Sequence, residues 1–135
     1  MAQFTLLHQG KADEAETKPD GKHVSPMRLV LRVPDSPQML SVQLADRLVI
    51  GRSGNGRDPD IDLTELDAVK YGLSRWHAVF TFDEAQLSVE DLNSTNGTRI
   101  NGYKLDVGRA YRLRNGDELE LGRLRLVVMV VRPPS

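Results

Sequence analysis

Arg52, Ser74, Arg75, Thr95 and Asn96 are the residues of this chain whose types and order could do chemistry together. Between them they offer guanidiniums, hydroxyls and a carboxamide. That inventory suits a tetrahedral dianion, because guanidinium forks and hydroxyl donors make charge-assisted hydrogen bonds to phosphate oxygens. Taken singly each residue is ordinary: Arg52 reads as a surface arginine and Ser74 as a turn hydroxyl. Their grouping in three separate polar stretches, each beside an apolar run, is what sets them apart.

The third of these stretches, "DLNSTNGTRINGYKL", carries two Asn-Gly pairs, Asn96-Gly97 and Asn101-Gly102, with Ser94 and Thr95 leading into the first. Asn and Gly both accept positive φ, so each pair is expected to reverse the chain. Two reversals so close together imply a small rigid loop system. The first stretch opens with Gly51-Arg52 and the second is Ser74-Arg75-Trp76-His77.

The elements that must hold these loops read as strands. Short runs rich in β-branched and aliphatic residues occur at 28–33, 39–44, 47–51, 77–82, 86–92, 110–113, 117–122 and 123–131. Turn residues separate them, and only residues 62–71 could form a helical turn. The pattern predicts an all-β fold, an antiparallel β-sandwich with binding loops gathered at one end. Residues 1–26, polar from residue 8 onward, are expected to form a flexible N-terminal tail, with the domain at 27–132 and a C-terminal end at 133–135.

Bulk properties narrow the function classes. The chain has 135 residues, enough for one self-sufficient core, and 18 basic against 19 acidic side chains give a net charge of -1, so no general affinity for nucleic acid or anionic membrane is expected. Without cysteine there are no disulfides, thiolate metal sites or thiol nucleophiles. His8, His23 and His77 lack any paired metal-ligand spacing, so no metal and no cofactor is expected. The aliphatic run at 124–131 is too short to span a bilayer as a helix, and the N-terminus lacks the pattern of a secretory signal, which points to the cytoplasm.

Two enzymatic alternatives fare poorly. "GRSGNG" at 51–56 is glycine-rich but lacks the Lys-Ser/Thr of a phosphate loop and is followed by no evident helix. Ser74, His77 and Asp91 contain the residue types of a hydrolase triad, yet no nucleophile elbow surrounds the serine. No catalytic residue is therefore expected. Trp76 and Tyr71 read as packing or pocket-wall residues.

The ordered set "IGR", "LSRWHA", "LNSTNGTRING" and "NGDEL" resembles the forkhead-associated (FHA) domain, a phosphothreonine-binding β-sandwich, from about Arg28 to Val131. The resemblance implies that Arg52 contacts the phosphate, Ser74 donates its hydroxyl to it and Arg75 flanks it. It implies further that Asn96 bonds the peptide main chain beside the phosphothreonine while Thr95 shapes the pocket for the threonine methyl. Gly51, His77, Gly97, Asn101 and Gly102 would support the site, His77 as a buried brace for the loop bearing Ser74. The expected partner is then a phosphothreonine-containing protein made by a Ser/Thr kinase, bound by a monomeric domain like those of small bacterial proteins. A phospho-independent interaction scaffold is the alternative.

Two features lie outside that core pattern. The stretch between Arg52 and Ser74 carries Asp58, Asp60, Asp62, Glu65 and Asp67 against Arg57 and Lys70, so an acidic rim favouring basic or apolar target residues is expected. In the tail, Thr17 follows acidic residues and resembles a kinase site. Extended at about 3.3 Å per residue, the segment from Thr17 to Arg28 reaches on the order of 35 Å, enough to bring a phosphorylated Thr17 to the domain's own pocket.

Overall fold

The computed structural model of the chain describes residues 5–8 and 24–132, and Thr17 lies outside them. The described residues form twelve strands and one 3-10 turn. The strands are β1 (Thr5–His8), β2 (Val24–Arg32), β3 (Gln38–Ala45), β4 (Arg47–Gly51), β5 (Ile61–Asp62) and β6 (Trp76–Asp83). They continue as β7 (Gln86–Asp91), β8 (Thr98–Ile100), β9 (Tyr103–Lys104), β10 (Ala110–Leu113), β11 (Glu118–Leu121) and β12 (Leu124–Val131).

Period-two alternation explains which faces meet. Along β12, Leu124, Leu126 and Val128 are buried while Arg125 and Met129 are exposed, and along β7, Leu87 and Val89 point the same way inward. Two sheets result, a seven-stranded one in the order β1-β3-β2-β12-β11-β8-β9 and a five-stranded one in the order β10-β7-β6-β4-β5. Their inner faces share a core of Leu29, Leu31, Leu40 and Leu126 from one sheet against Ile50, Phe80 and Val89 from the other. Burial of this kind stabilises by about 25 cal/mol per Å² of apolar surface and is the main force holding the layers together.

The expected antiparallel sandwich is mixed at its edges: β1 pairs with β3, and β5 with β4, in parallel. Of the residues 1–26 expected to form a tail, the short strand β1 and the start of β2 at Val24 are described. Proline cannot donate to a ladder, and Pro26 sits where the pairing of β2 with β3 shifts register between Val24 and Arg28. The helical turn expected at 62–71 is the short 3-10 segment Thr64–Leu66.

Three loops, residues 52–60, 63–75 and 92–97, leave the sandwich at the end where β4 and β7 finish and β6 begins, and these carry the residues singled out by type. At the other end the turn of the β6–β7 hairpin, residues 83–86, closes the five-stranded sheet. Phe80 is 1% exposed at the centre of β6. Phe80→Ala is expected to cost about 3–5 kcal/mol in urea denaturation. Val107→Ala, at a side chain 57% exposed, should stay within about 0.5 kcal/mol of wild type.

Candidate functional site

The close approach that begins the site is made possible by Gly51. A Cβ there would lie 2.0 Å from the Arg75 carbonyl oxygen, so only glycine lets β4 run against the start of β6. The next amide then donates across the gap, Arg52 N to Arg75 O at 3.1 Å, and joins the first loop to the second. Arg52 Nε donates to Leu73 O at 2.8 Å, which fixes the guanidinium plane. Its terminal Nη donors have no bond to another described residue and remain available to a ligand.

The second loop is tied to the third by its serine. Ser74 Oγ accepts from Thr95 N at 3.0 Å, which leaves the hydroxyl proton free to donate outward. Asn96 Nδ2 donates to Gly72 O at 2.9 Å, so the carboxamide is aimed while its oxygen stays open. Arg75 is exposed, and with the Asn55 carboxamide turned so that its oxygen faces the guanidinium, Asn55 Oδ1 accepts from Nη1 at 2.6 Å and Nη2 at 3.1 Å.

Beneath these groups His77 is fully buried. Its Nδ1 accepts from Ser74 N at 3.0 Å, so that nitrogen carries no proton, and Nε2 donates to Gly97 O at 2.9 Å. One neutral ring thereby joins the serine loop to the Asn-Gly loop. Burial holds its pKa below the ordinary histidine value and outweighs the raising effects of the Gly97 carbonyl and the Asp91 charge.

The third loop has its own buried centre in Asp91, 2% exposed. Its Oδ1 accepts from Ser94 Oγ and Thr98 Oγ1, both at 2.6 Å, and Oδ2 accepts from Ser94 N at 3.2 Å. Ser94 Oγ in turn accepts from Gly97 N at 3.0 Å. The first Asn-Gly pair is therefore not the two-residue reversal expected: Gly97 has φ +86° but Asn96 is not in the left-handed region, because side-chain bonds shape this loop. The second pair is such a reversal. Asn101 and Gly102, at φ +49° and +85°, join β8 to β9, and Asn101 Oδ1 accepts from Glu118 N at 2.9 Å to anchor the hairpin on β11.

Arg52, Ser74, Arg75, Thr95 and Asn96 all line one open cavity of about 410 Å³, together with Val69, Gly72 and Leu73. None of Gly51, His77, Gly97, Asn101 or Gly102 lines it. Sequence reasoning missed Gly72, whose φ is +79° and where a Cβ would stand 2.5 Å from Asn96 Nδ2. It also gave Asp91 no supporting role, although Asp91, Ser94 and Thr98 at spacings of three and four carry that signal. Val69 was passed over as well, and is 69% exposed at the cavity wall.

The expected acidic rim is corrected. None of Asp58, Asp60, Asp62, Glu65 or Asp67 lines the cavity. Asp60 Oδ2 accepts from Val49 N at 2.8 Å, and Asp62 Oδ1 from Ser53 N, Thr64 N and Thr64 Oγ1, so these carboxylates serve to fold their own loop. A hydrolytic triad is equally at odds with the bonding. Both ring nitrogens of His77 are committed to the main chain, and the Asp91 carboxylate serves Ser94 and Thr98, leaving Ser74 without a base.

Among the described residues no group of three or more His, Asp or Glu could hold a metal ion, and no helix is long and apolar enough to cross a membrane. The neutral brace makes a pH prediction. A histidine with a lowered native pKa leaves the unfolded chain binding more protons, so stability falls as pH drops below about 6.5 and levels off under the native pKa. NMR titration should show His77 as the Nε2-H tautomer, protonating below 6.5. Protonation at or above that value would contradict the brace.

The comparisons with known proteins agree with this geometry. A family model described as the FHA domain matches residues 48–122, more than half of the chain. The glycogen accumulation regulator GarA of Mycobacterium tuberculosis is 40% identical over 74 residues, 55% of this chain and 42% of that protein. The oxoglutarate dehydrogenase inhibitor of Corynebacterium glutamicum is 38% identical over 74 residues, 55% of this chain and 48% of that one. The matched segment thus spans less than half the length of these relatives. The FhaA FHA domain, solved with the intracellular domain of a second protein, is 30% identical with a TM-score of 0.57, over 75% of this chain and 99% of that chain. An FHA domain from a study of phosphothreonine-dependent FHA interactions is 29% identical with a TM-score of 0.57, over 80% of this chain and 98% of that chain. Strand order, loop chemistry and family match converge, and the chain belongs to the FHA domain family.

Proposed function

We propose that this chain is a phosphothreonine-reading adaptor domain that acts downstream of a Ser/Thr kinase in the cytoplasm and does no chemistry itself. The observation that carries this reading is the convergence of Arg52, Ser74, Arg75, Thr95 and Asn96 on one open cavity. Arg52 offers unused Nη donors and Ser74 a free hydroxyl proton to phosphate oxygens, while Arg75, steadied by Asn55, adds a second positive charge. The open oxygen of Asn96 is set to accept from a peptide N–H. A phosphate brings about -1.5 to -2 charge and can recruit one to three such bonds, which decides whether a peptide is held.

The names of the relatives, a regulator and an inhibitor, support a non-catalytic role. A small polar site with few apolar anchors supports affinity of roughly micromolar, about -8 kcal/mol. Val69 supplies the exposed apolar surface in the cavity wall, beside Gly72 and Asn96. An apolar target side chain next to the phosphothreonine packs there. Thr17, once phosphorylated, competes for the same pocket and shuts out partners.

Fluorescence anisotropy with degenerate phosphothreonine peptides, beside phosphoserine and unmodified versions, tests the reading. Binding is expected only with phosphothreonine, and Arg52→Ala should weaken it by about tenfold to a hundredfold, the worth of one or two hydrogen bonds to a charged group. Phosphate-independent binding would defeat the proposal. Val69→Asp should erase selection for an apolar neighbour while leaving the need for phosphate. After kinase treatment, Thr17→Ala should bind target better than treated wild type, and equal binding would remove the autoinhibitory role.

A further inference from the structure

A second groove opens at the far end of the sandwich. Strand β6 runs from the phosphate loops at Trp76 to the hairpin turn at Asp83, seven steps of about 3.3 Å, or roughly 23 Å. There the ends of the two sheets diverge over a cavity of about 570 Å³. Met27 of β2 and Val130 of β12 line it from one sheet and Phe82 of β6 from the other. All three are partly buried against the core, so they form an apolar floor with accessible surface.

The rim of this floor is basic. Arg112 on β10, Arg114 in the turn that follows and Arg132 after β12 line the groove, and no carboxylate does. All three are exposed, and none makes a side-chain hydrogen bond or ion pair to another described residue. Exposed arginines on their own are usually solvated. Here three arrive from three elements over one apolar floor, in a chain whose acidic side chains outnumber its basic ones, 19 to 18. The same chain pairs Arg125 with Glu118 at 2.8 Å on another face.

The strand that contributes Arg112 adds a second feature. Among the described residues, strand β10 is the edge of the five-stranded sheet and pairs only with β7. One side of its backbone pairs with no other described strand and could take an added one, a mode in which main-chain bonds give affinity and side-chain pockets give selectivity.

We propose that this groove is a second docking site, independent of phosphate reading, for an extended acidic segment of a partner protein with an apolar anchor. Its carboxylates meet Arg112, Arg114 and Arg132, and its anchor rests on Met27, Phe82 and Val130. Because the groove and the phosphate pocket lie at opposite ends, one partner can hold both through a linker, or two partners can bind at once. Tethering through the second site raises the effective concentration of a phosphothreonine at the first.

The test uses the full chain and a short fluorescent peptide that alternates Glu with Leu and Phe and contains no Ser, Thr or Tyr. A counterpart with Lys for Glu is the control, and both are titrated by anisotropy at low and high salt. The acidic peptide should bind saturably and lose affinity with salt, and the basic one should bind at least about tenfold more weakly. Arg112→Glu with Arg114→Glu should reduce acidic-peptide binding by about tenfold or more while phosphothreonine-peptide binding stays within about twofold of wild type. Amide NMR shifts should cluster on residues 82–87 and 110–115. The proposal is overturned if the two peptides bind alike or neither saturates. Shifts that centre on Arg52 and Arg75, or binding that requires deletion of residues 9–23, would overturn it too, the first by placing the peptide in the phosphate pocket and the second by making the chain's own segment the occupant.

Discussion

One buried, neutral imidazole determines whether the loops of this domain form a site. His77 accepts from the Ser74 amide with one nitrogen and donates to the Gly97 carbonyl with the other, which no aliphatic side chain and no charged histidine can do. The same Gly97 carbonyl accepts from Gly122 N at 2.9 Å, so the bond is itself anchored to the opposite sheet. Loops this polar would ordinarily sample many conformations, at about 1–2 kcal/mol per residue of backbone freedom. The ring, the Asp91 centre and the Gly51 contact remove that freedom before any ligand arrives, so the ordering cost does not fall on binding.

Pre-organisation also accounts for the division of labour among the polar groups. Three of the cavity-lining side chains spend one bond on a neighbouring loop and keep another for the outside: Arg52 gives Nε to Leu73, Ser74 accepts from Thr95, and Asn96 gives Nδ2 to Gly72. The strain of the arrangement is met by glycine at the two tightest places, Gly51 and Gly72. A site built this way sits at one end of a rigid sandwich and leaves the other end free for a different surface.

Much of this was legible in the sequence, for identifiable reasons. The runs that become β3, β4, β6, β7, β10, β11 and β12 carry strong β-branched and aliphatic alternation, and turn residues mark their ends, so their positions could be read to within one or two residues, whereas β5, β8 and β9 were not read as strands. The cavity-lining residues were legible because chemistry and order coincide in motifs. What could not be read depended on long-range bonds. The Asp58–Asp67 charges looked like a rim, but hydrogen bonds to Val49, Ser53 and Thr64 turn Asp60 and Asp62 into loop scaffolding. The parallel edge strands β1 and β5 are too short for periodicity to reveal, and the exposure of Val69 depends on how its loop folds over Leu66 and Ala68, both buried. The turn at Asn96 departs from its dipeptide preference because Ser94 and Asp91 bond the backbone first.

The most direct test of a pre-built site is the NMR coupling across the hydrogen bond between the Ser74 amide nitrogen and His77 Nδ1, measured in the free protein and with saturating phosphothreonine peptide. The account predicts that the coupling is present before binding and persists with little change after it. A coupling that is missing in the free protein and appears only with the peptide would show that the ligand assembles the loops, and would contradict the central role given to His77.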